Sequence, residues 1–408
     1  MDVQPETGVY EQHQAGPRPR GRIADIEVLR GVSIIMVMAS HIAGPLLPWP
    51  TPMLSHISRN YVMFWPGVDL FFAISGFVIA RSLLPALRAA ENGQAFFGAV
   101  LTFWVRRAWR LLPAAWLWLA VITLLTAFFN RFGRFGLFHD TFESVVAALL
   151  SVANFHFAAA FRHFGTGASA PYWSLSLEEQ FYLLLPVVVF LSGRYLVPVL
   201  IAASVVMFAW PEGSNLLSCL RLQPILLGVL LALLGGHGAY PMVEPAVLGR
   251  VRAARVACLV APLFLMAALA PLDQRIIAYP FDGIAVLAFL LVFVASFDRD
   301  YTMAGGSLKH VLIWMGARSY ALYLIHTPVF LAINEASQWV RPAGGFDNRY
   351  LPVFLLAGLG ITLGLAEVNY RLVEQPLRRH GVRMSQRLTL RWAVPDGTRN
   401  GTQRATLQ

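Results

Sequence analysis

Two ionisable side chains inside one apolar stretch are the residues best placed to do chemistry. Arg30 and His41 stand eleven positions apart in the segment 27–47, separated by the nearly unbroken apolar run from Gly31 to Ser40. On a helix, eleven steps of ~100° return His41 to within ~20° of Arg30, and a rise of ~1.5 Å per residue sets them ~16 Å apart. They share a face at two depths. An ionisable group inside a membrane-crossing helix costs at least ~2.5 kcal/mol on insertion scales, so it faces a bundle interior, a partner or water and marks a functional path. In a water-soluble chain a lone histidine on an apolar face is ordinarily a satisfied core residue. Inside a span the functional reading is the stronger one, and imidazole, which titrates near neutrality, is suited to accept a proton.

Three other stretches carry candidate chemistry. The segment 171–182 holds Trp173, Glu178 and Glu179. Ser176 and Glu179 have the spacing of a helix-capping box, which accounts for Glu179 and leaves Glu178 without so plain a role. The apolar run from Val311 carries Ser319, Tyr323 and His326 at spacings of four and three, hence on one helical face. Two histidines and a carboxylate converging at similar depth suit proton abstraction from an alcohol, with the carboxylate fixing the imidazole tautomer. Zinc binding is the weaker use of these residues, because no two ligands share metal spacing within one helix; no metal is expected. Gly67–Phe77 adds Asp69 and Ser75 as polar positions along a substrate path. Arg106, Arg107 and Arg110, on one turn of an incipient helix in a loop, suit bidentate contact with a phosphorylated donor. A topology signal meeting lipid phosphates is the competing reading.

Composition decides what must position these residues. The chain has 408 residues, is 57% hydrophobic and 13% charged, and carries a net charge of +10. Its mean hydropathy is +0.58. That is too little charge to cover a soluble globule of this size, and it reads as an all-α, polytopic transmembrane bundle. Lys309 is the only lysine, so the basic excess is arginine. These arginines bracket apolar spans and form no solvated stripe, which speaks for membrane topology and against nucleic acid. Cys219 and Cys258 have no paired spacing and imply no disulfide framework.

Apolar runs predict about ten spanning helices: 27–47, 63–84, 111–129, 175–192, 195–211, 216–235, 255–271, 280–297, 311–333 and 350–370. Residues 145–160 are apolar but short and interrupted, so they read as a re-entrant or interfacial segment. That choice keeps Arg250, Arg252 and Arg255 cytoplasmic, together with both termini. The domain reading is a disordered cytoplasmic tail over 1–22, a membrane domain over 23–376 and a basic cytoplasmic tail over 377–408. The polar start, Met1 to Gly21, does not have the form of a signal peptide.

Taken in order, these motifs resemble the acyltransferase-3 family of integral-membrane O-acyltransferases. The resemblance rests on Leu29-Arg-Gly31 followed by His41, Phe71-Phe-Ala-Ile-Ser-Gly-Phe77, Arg106-Arg-x-x-Arg110-x-x-Pro113, Trp173-Ser-Leu-x-x-Glu178-x-x-Phe-Tyr182, Ser319-Tyr-Ala-Leu-Tyr-Leu-Ile-His326 and Glu367-x-x-Tyr-Arg371-x-x-Glu374-x-Pro376. It implies transfer of an acyl group, usually acetyl, from acetyl-coenzyme A to a hydroxyl of an envelope glycan, an exported glycan or a lipid-linked sugar, in a bacterial inner membrane. Acyl-coenzyme A is then a co-substrate and no cofactor is bound. It also implies that Arg30, His41 and Glu178 are essential. Some relatives carry a C-terminal extracytoplasmic hydrolase-like domain, and about 38 residues after Tyr370 are too few for one. The membrane domain is therefore expected to handle transfer alone or with an extracytoplasmic partner protein. On the residues themselves, His41 is a general base with Glu178 or His326 orienting it, or it is the site of a covalent acyl intermediate. A glycan or lipid transporter using Arg30, His41, Asp69 and Glu178 as a proton path is the alternative from another class.

Overall fold

A computed structural model describes residues 22–160, 167–209, 219–274, 280–341 and 345–393. The described residues are helical, joined by turns, with no strand. In chain order, besides a few single turns, the helices are α1 (Ala24–Ser40), α2 (Pro52–Asn60), α3 (Gly67–Arg88), α4 (Gly93–Phe128), α5 (Phe138–Leu149), α6 (Ala153–Ala160), α7 (Tyr172–Ser192), α8 (Leu196–Ala209), α9 (Gln223–Leu234), α10 (Arg252–Leu269), α11 (Pro280–Ala295), α12 (Ser307–Ala317), α13 (Ser319–Val340), α14 (Leu351–Asn369) and α15 (Gln375–Ala393). Five helical stretches are long and apolar enough to cross a membrane: Gly67–Arg88, Gly93–Phe128, Tyr172–Ala209, Arg252–Leu272 and Asn348–Leu388. Helices α9 and α11 are apolar but shorter. The expected tail over 1–22 lies outside the described residues apart from Arg22, as do residues 394–408.

Helix α1, which carries Arg30, sits at the centre and packs against α3, α12 and α13. Glycines let it approach closely. A Cβ on Gly31 would lie 2.3 Å from the Leu312 carbonyl oxygen, and one on Gly316 would lie 2.0 Å from that of Glu27, so α1 and α12 touch backbone to backbone. Helices α3 and α9 meet in the same way through Gly76 and Gly228. Close approach through small residues is how helices associate where lipid offers no hydrophobic drive between them. It makes the position of α1 a fixed feature of the bundle. Leu29, Ile34 and Val37 of α1, Phe72 of α3 and Phe330 of α13 are fully buried around it.

Locally the structure differs from expectation in several places. Arg106, Arg107 and Arg110 do not lie in a loop, because α4 runs without a break from Gly93 to Phe128. Its 36 residues extend ~54 Å, well beyond a hydrocarbon core of ~30 Å, so one continuous helix carries both the basic turn and the span after it. The expected span 311–333 is two helices, α12 and α13, broken at Arg318. There the guanidinium turns onto the Trp314 and Tyr370 rings, 4.5 Å from each centroid, and pairs with Glu367. The stretch expected as a tail from 377 is helical through Ala393, and α15 packs along α4.

Residues 145–160 fold back on themselves. Helices α5 and α6, 12 and 8 residues long, are each too short to cross, and Ser151 at φ 57° turns the chain between them. The tip is tied to α7: Ser151 Oγ donates to Glu179 (2.6 Å), the Ala153 N–H donates to Ser176 Oγ (3.1 Å), and Gln180 Nε2 donates to the Ser151 carbonyl (2.8 Å). Ser176 and Glu179 therefore form no capping box. They lie inside α7 and hold the tip of this hairpin.

Candidate active site

The histidines meet. His41 caps the C-terminus of α1, and its Nδ1 lies 2.9 Å from the Val37 carbonyl oxygen, 3.1 Å from Ser40 Oγ and 3.4 Å from His326 Nε2. The two rings stand edge to face, with centroids 4.9 Å apart. Carbonyl oxygens only accept, so Nδ1 of His41 carries the proton. In His326, Nδ1 lies 3.1 Å from the Leu322 carbonyl oxygen and is likewise protonated. That leaves His326 Nε2 as an acceptor, which takes the Thr327 hydroxyl proton at 3.1 Å and faces the His41 N–H. The carbonyl contacts fix the two tautomers, and that of His41 leaves its Nε2 unprotonated. His326 is fully buried, whereas His41 is partly exposed.

Glu178 does not join them. Its carboxylate accepts from Ser75 Oγ at 3.0 Å and from the Tyr182 hydroxyl, one turn along α7. It lines a cavity of about 80 Å³ together with Arg30, Arg107, Arg110, Ser319 and Tyr323. The expected convergence of two histidines and a carboxylate is thus split into a histidine pair and a separate arginine–glutamate cavity. Tyr323 stands between them. It lines the cavity, its hydroxyl bonds to Ser174 Oγ (2.7 Å) and the Pro171 carbonyl (3.0 Å), and its ring centroid is 5.8 Å from that of His326.

At its other end the cavity shares Arg107 and Arg110 with a groove between α3, α4 and α15, floored by Ala86, Ala95, Gly98 and Ala99. Arg106 lines this groove but not the inner cavity, and its Nε donates to Ser385 Oγ at 2.7 Å. Arg107 lies 5.5 Å from the ring centroids of both Phe103 and Tyr182, which hold its guanidinium plane. Arg30 is 3.5 Å from Glu27. Arg378 of α15 is a fourth arginine on the groove, and sequence reasoning placed it only in a basic tail. Its signal was available in the distance of three helical positions from Gln375, on a segment with no helix breaker after Pro376 until Gly381.

Asp69 and Trp173 are placed elsewhere. Asp69 pairs at 3.3 Å with Arg221, whose guanidinium also lies 5.1 Å from the Trp173 ring. Arg221 was missed, although an arginine within the apolar run 216–235 is the same signal that singled out His41.

The arrangement offers a free imidazole nitrogen on a ring whose tautomer the Val37 carbonyl fixes, a buried second histidine against it and, lined in part by Tyr323, a cavity whose arginines can hold an anionic group. Among known proteins, the chain is 25% identical over 390 residues to the peptidoglycan O-acetyltransferase OatA of Listeria monocytogenes, covering 89% of this chain and 57% of that protein. It is 27% identical over 336 residues to the O-acetyltransferase OatA of Staphylococcus aureus, covering 77% of this chain and 53% of that one. The chain therefore spans about half the length of the curated relatives it matches. No solved structure matches it. The acyltransferase domain of the Acyl_transf_3 family matches residues 23–366, and the chain belongs to that family.

Proposed function

We propose that the chain is a membrane O-acyltransferase that moves an acyl group, in the first instance acetyl, from acyl-coenzyme A to a hydroxyl of a cell-envelope glycan. The names of its relatives point to peptidoglycan as the acceptor class, and family membership does not favour the transporter alternative. The observation behind this reading is the free Nε2 of His41, paired with His326, and an arginine-lined cavity whose wall residue Tyr323 has its ring centroid 5.8 Å from that of His326.

In this reading the phosphates of the donor lie on Arg106, Arg107, Arg110 and Arg378, and the acyl arm passes Arg30 toward Tyr323. Glu178 balances the inner arginines and holds Tyr182; it does not orient His41. Nε2 of His41 takes the proton of the acceptor hydroxyl as that oxygen attacks the thioester carbonyl. Collapse of the tetrahedral adduct breaks the C–S bond, and the departing thiolate takes the proton back from the imidazolium. The Val37 carbonyl, with His326 Nε2 beside it, keeps Nδ1–H of His41 in place through both steps, so the basic nitrogen is always Nε2. Ser319, Ser75 and Trp173 line or brace the path, and no bound cofactor is involved. Mass spectrometry of envelope glycans tests this. Strains lacking the gene lose O-acetyl esters and a complemented strain regains them, whereas identical glycans in both would refute it.

The topology proposed with this function has about ten crossings in a bacterial inner membrane, a membrane domain over 23–376 and both termini in the cytoplasm. The folded-back α5–α6 hairpin supports that count, since neither arm spans. A cysteine at the exposed Ala246, with Cys219 and Cys258 removed, then resists a membrane-impermeant thiol reagent in intact cells. Ready labelling there would place the loop before α10 outside and invert the assignment.

A further inference from the structure

A second buried polar cluster lies away from the arginine cavity, at the N-terminal ends of α3, α7, α9 and α11. Arg221, just before α9, has its guanidinium 4.7 Å from the Trp65 ring centroid, 5.1 Å from that of Trp173 and 4.7 Å from that of Phe281. Its Nη1 is 3.3 Å from Asp69 Oδ2, and the two side chains are 8% and 1% exposed. On that cluster Asp69 Oδ1, Arg221 Nε and Gln223 Oε1 are buried with no hydrogen-bond partner among the described residues. An ion pair retained in an apolar bundle with three orphan polar atoms is costly as pure scaffolding, because each buried group left unpaired forfeits its hydration.

The orphan atoms define what would satisfy them. They are two acceptors and one donor, and the neighbouring Trp65 and Trp173 are partly exposed, as is Asp282, which accepts from Gln223 Nε2 at 3.3 Å. An anion would be repelled by Asp69 and Asp282, and an apolar ligand would leave the three atoms unpaired. A neutral sugar offers hydroxyl or amide hydrogens to the two acceptors, a ring or hydroxyl oxygen to Arg221 Nε, and apolar C–H faces to the indoles. The location agrees. Gly67, two residues before Asp69, packs against Ser33 and Val37 of α1, toward the His41 end and away from Arg106 and Arg378. Trp173 precedes Ser174, which bonds the Tyr323 hydroxyl beside His326.

We infer that Asp69, Arg221 and Gln223, rimmed by Trp65 and Trp173, form the subsite that holds a neutral sugar of the glycan acceptor; this rests on the acyltransferase reading above. The full chain in nanodiscs, supplied with acetyl-coenzyme A and muramidase-solubilised peptidoglycan strands, tests it. Arg221→Lys keeps the charge opposite Asp69 but loses the Nε–H, and Gln223→Leu removes the Oε1 acceptor at similar volume, together with the Nε2 donor to Asp282 and the Met207 carbonyl. Each raises the KM for the strands by about tenfold or more, the effect of losing one hydrogen bond to a buried group, while the donor KM stays within about twofold. An unchanged strand KM in both folded variants would overturn the subsite, as would a loss that appears only as a lowered unfolding temperature. If the wild-type chain consumes no acetyl-coenzyme A, the acyltransferase reading itself falls, and the subsite with it.

Discussion

Replacing His41 by alanine lowers acyl transfer by about 10²- to 10⁴-fold, the usual cost of losing a positioned general base, and leaves the folded protein close to wild type in thermal stability. The second half follows from the hydrogen bonds. When the imidazole is removed, the Val37 carbonyl keeps a donor, because Ser40 Oγ already reaches it at 2.7 Å. The side chain is only partly buried, so no large apolar cavity opens behind it. His326 is a poorer test, since it is fully buried and its loss leaves the Leu322 carbonyl and the Thr327 hydroxyl without their partner. Rates measured on purified, inserted protein decide the matter. A His41→Ala protein that keeps more than about a tenth of wild-type transfer is not missing its base, and the assignment would be wrong.

The donor end has a different signature. Arg107→Ala and Arg110→Ala each raise the apparent KM for acyl-coenzyme A by about ten- to a hundredfold. A charge-assisted hydrogen bond contributes ~1.5–3 kcal/mol, and a tenfold change in affinity corresponds to ~1.4 kcal/mol. Lysine at either position restores the charge but not the planar fork. At Arg107 it also gives up the packing of the guanidinium over Phe103 and Tyr182, so rescue is partial. Arginines that only set topology behave otherwise: lysine is silent, and alanine lowers the amount of inserted protein without touching KM. Initial rates against donor concentration, normalised to inserted protein, separate the two, and an unchanged donor KM in both alanine variants would refute the donor site.

Much of this was legible because membrane interiors make polar residues conspicuous. Arg30, His41 and His326 stood out as ionisable groups in apolar runs, and the face shared by Ser319, Tyr323 and His326 followed from spacing alone. The pairing of His41 with His326 follows from two histidines converging at one depth. The position of Glu178 does not. Which neighbour a residue on α7 meets depends on how α3, α4 and α7 cross, and Ser75 reaches Glu178 from 103 positions away in sequence. Local signals also failed where tertiary contacts decide the backbone. The break at Arg318 falls where no proline marks it, at a residue whose side chain meets Glu367 and Tyr370, and the long α4 absorbs Pro113 inside a continuous helix. Arg221 was legible in principle and was read as part of a span. Its meaning lies in Asp69, 152 positions earlier, and in rings drawn from three different parts of the chain.

The account stands on transfer from a coenzyme A thioester to a glycan hydroxyl at His41. Its most direct test supplies acetyl-coenzyme A labelled with ¹³C in the acetyl group to the purified chain in nanodiscs with solubilised peptidoglycan strands, and follows the label by mass spectrometry. The label is expected as a base-labile ester on the strands with the wild-type chain, with stoichiometric release of coenzyme A, and is absent with His41→Ala. Strands that remain unlabelled by an intact wild-type chain, or that are labelled equally by the variant, would contradict it.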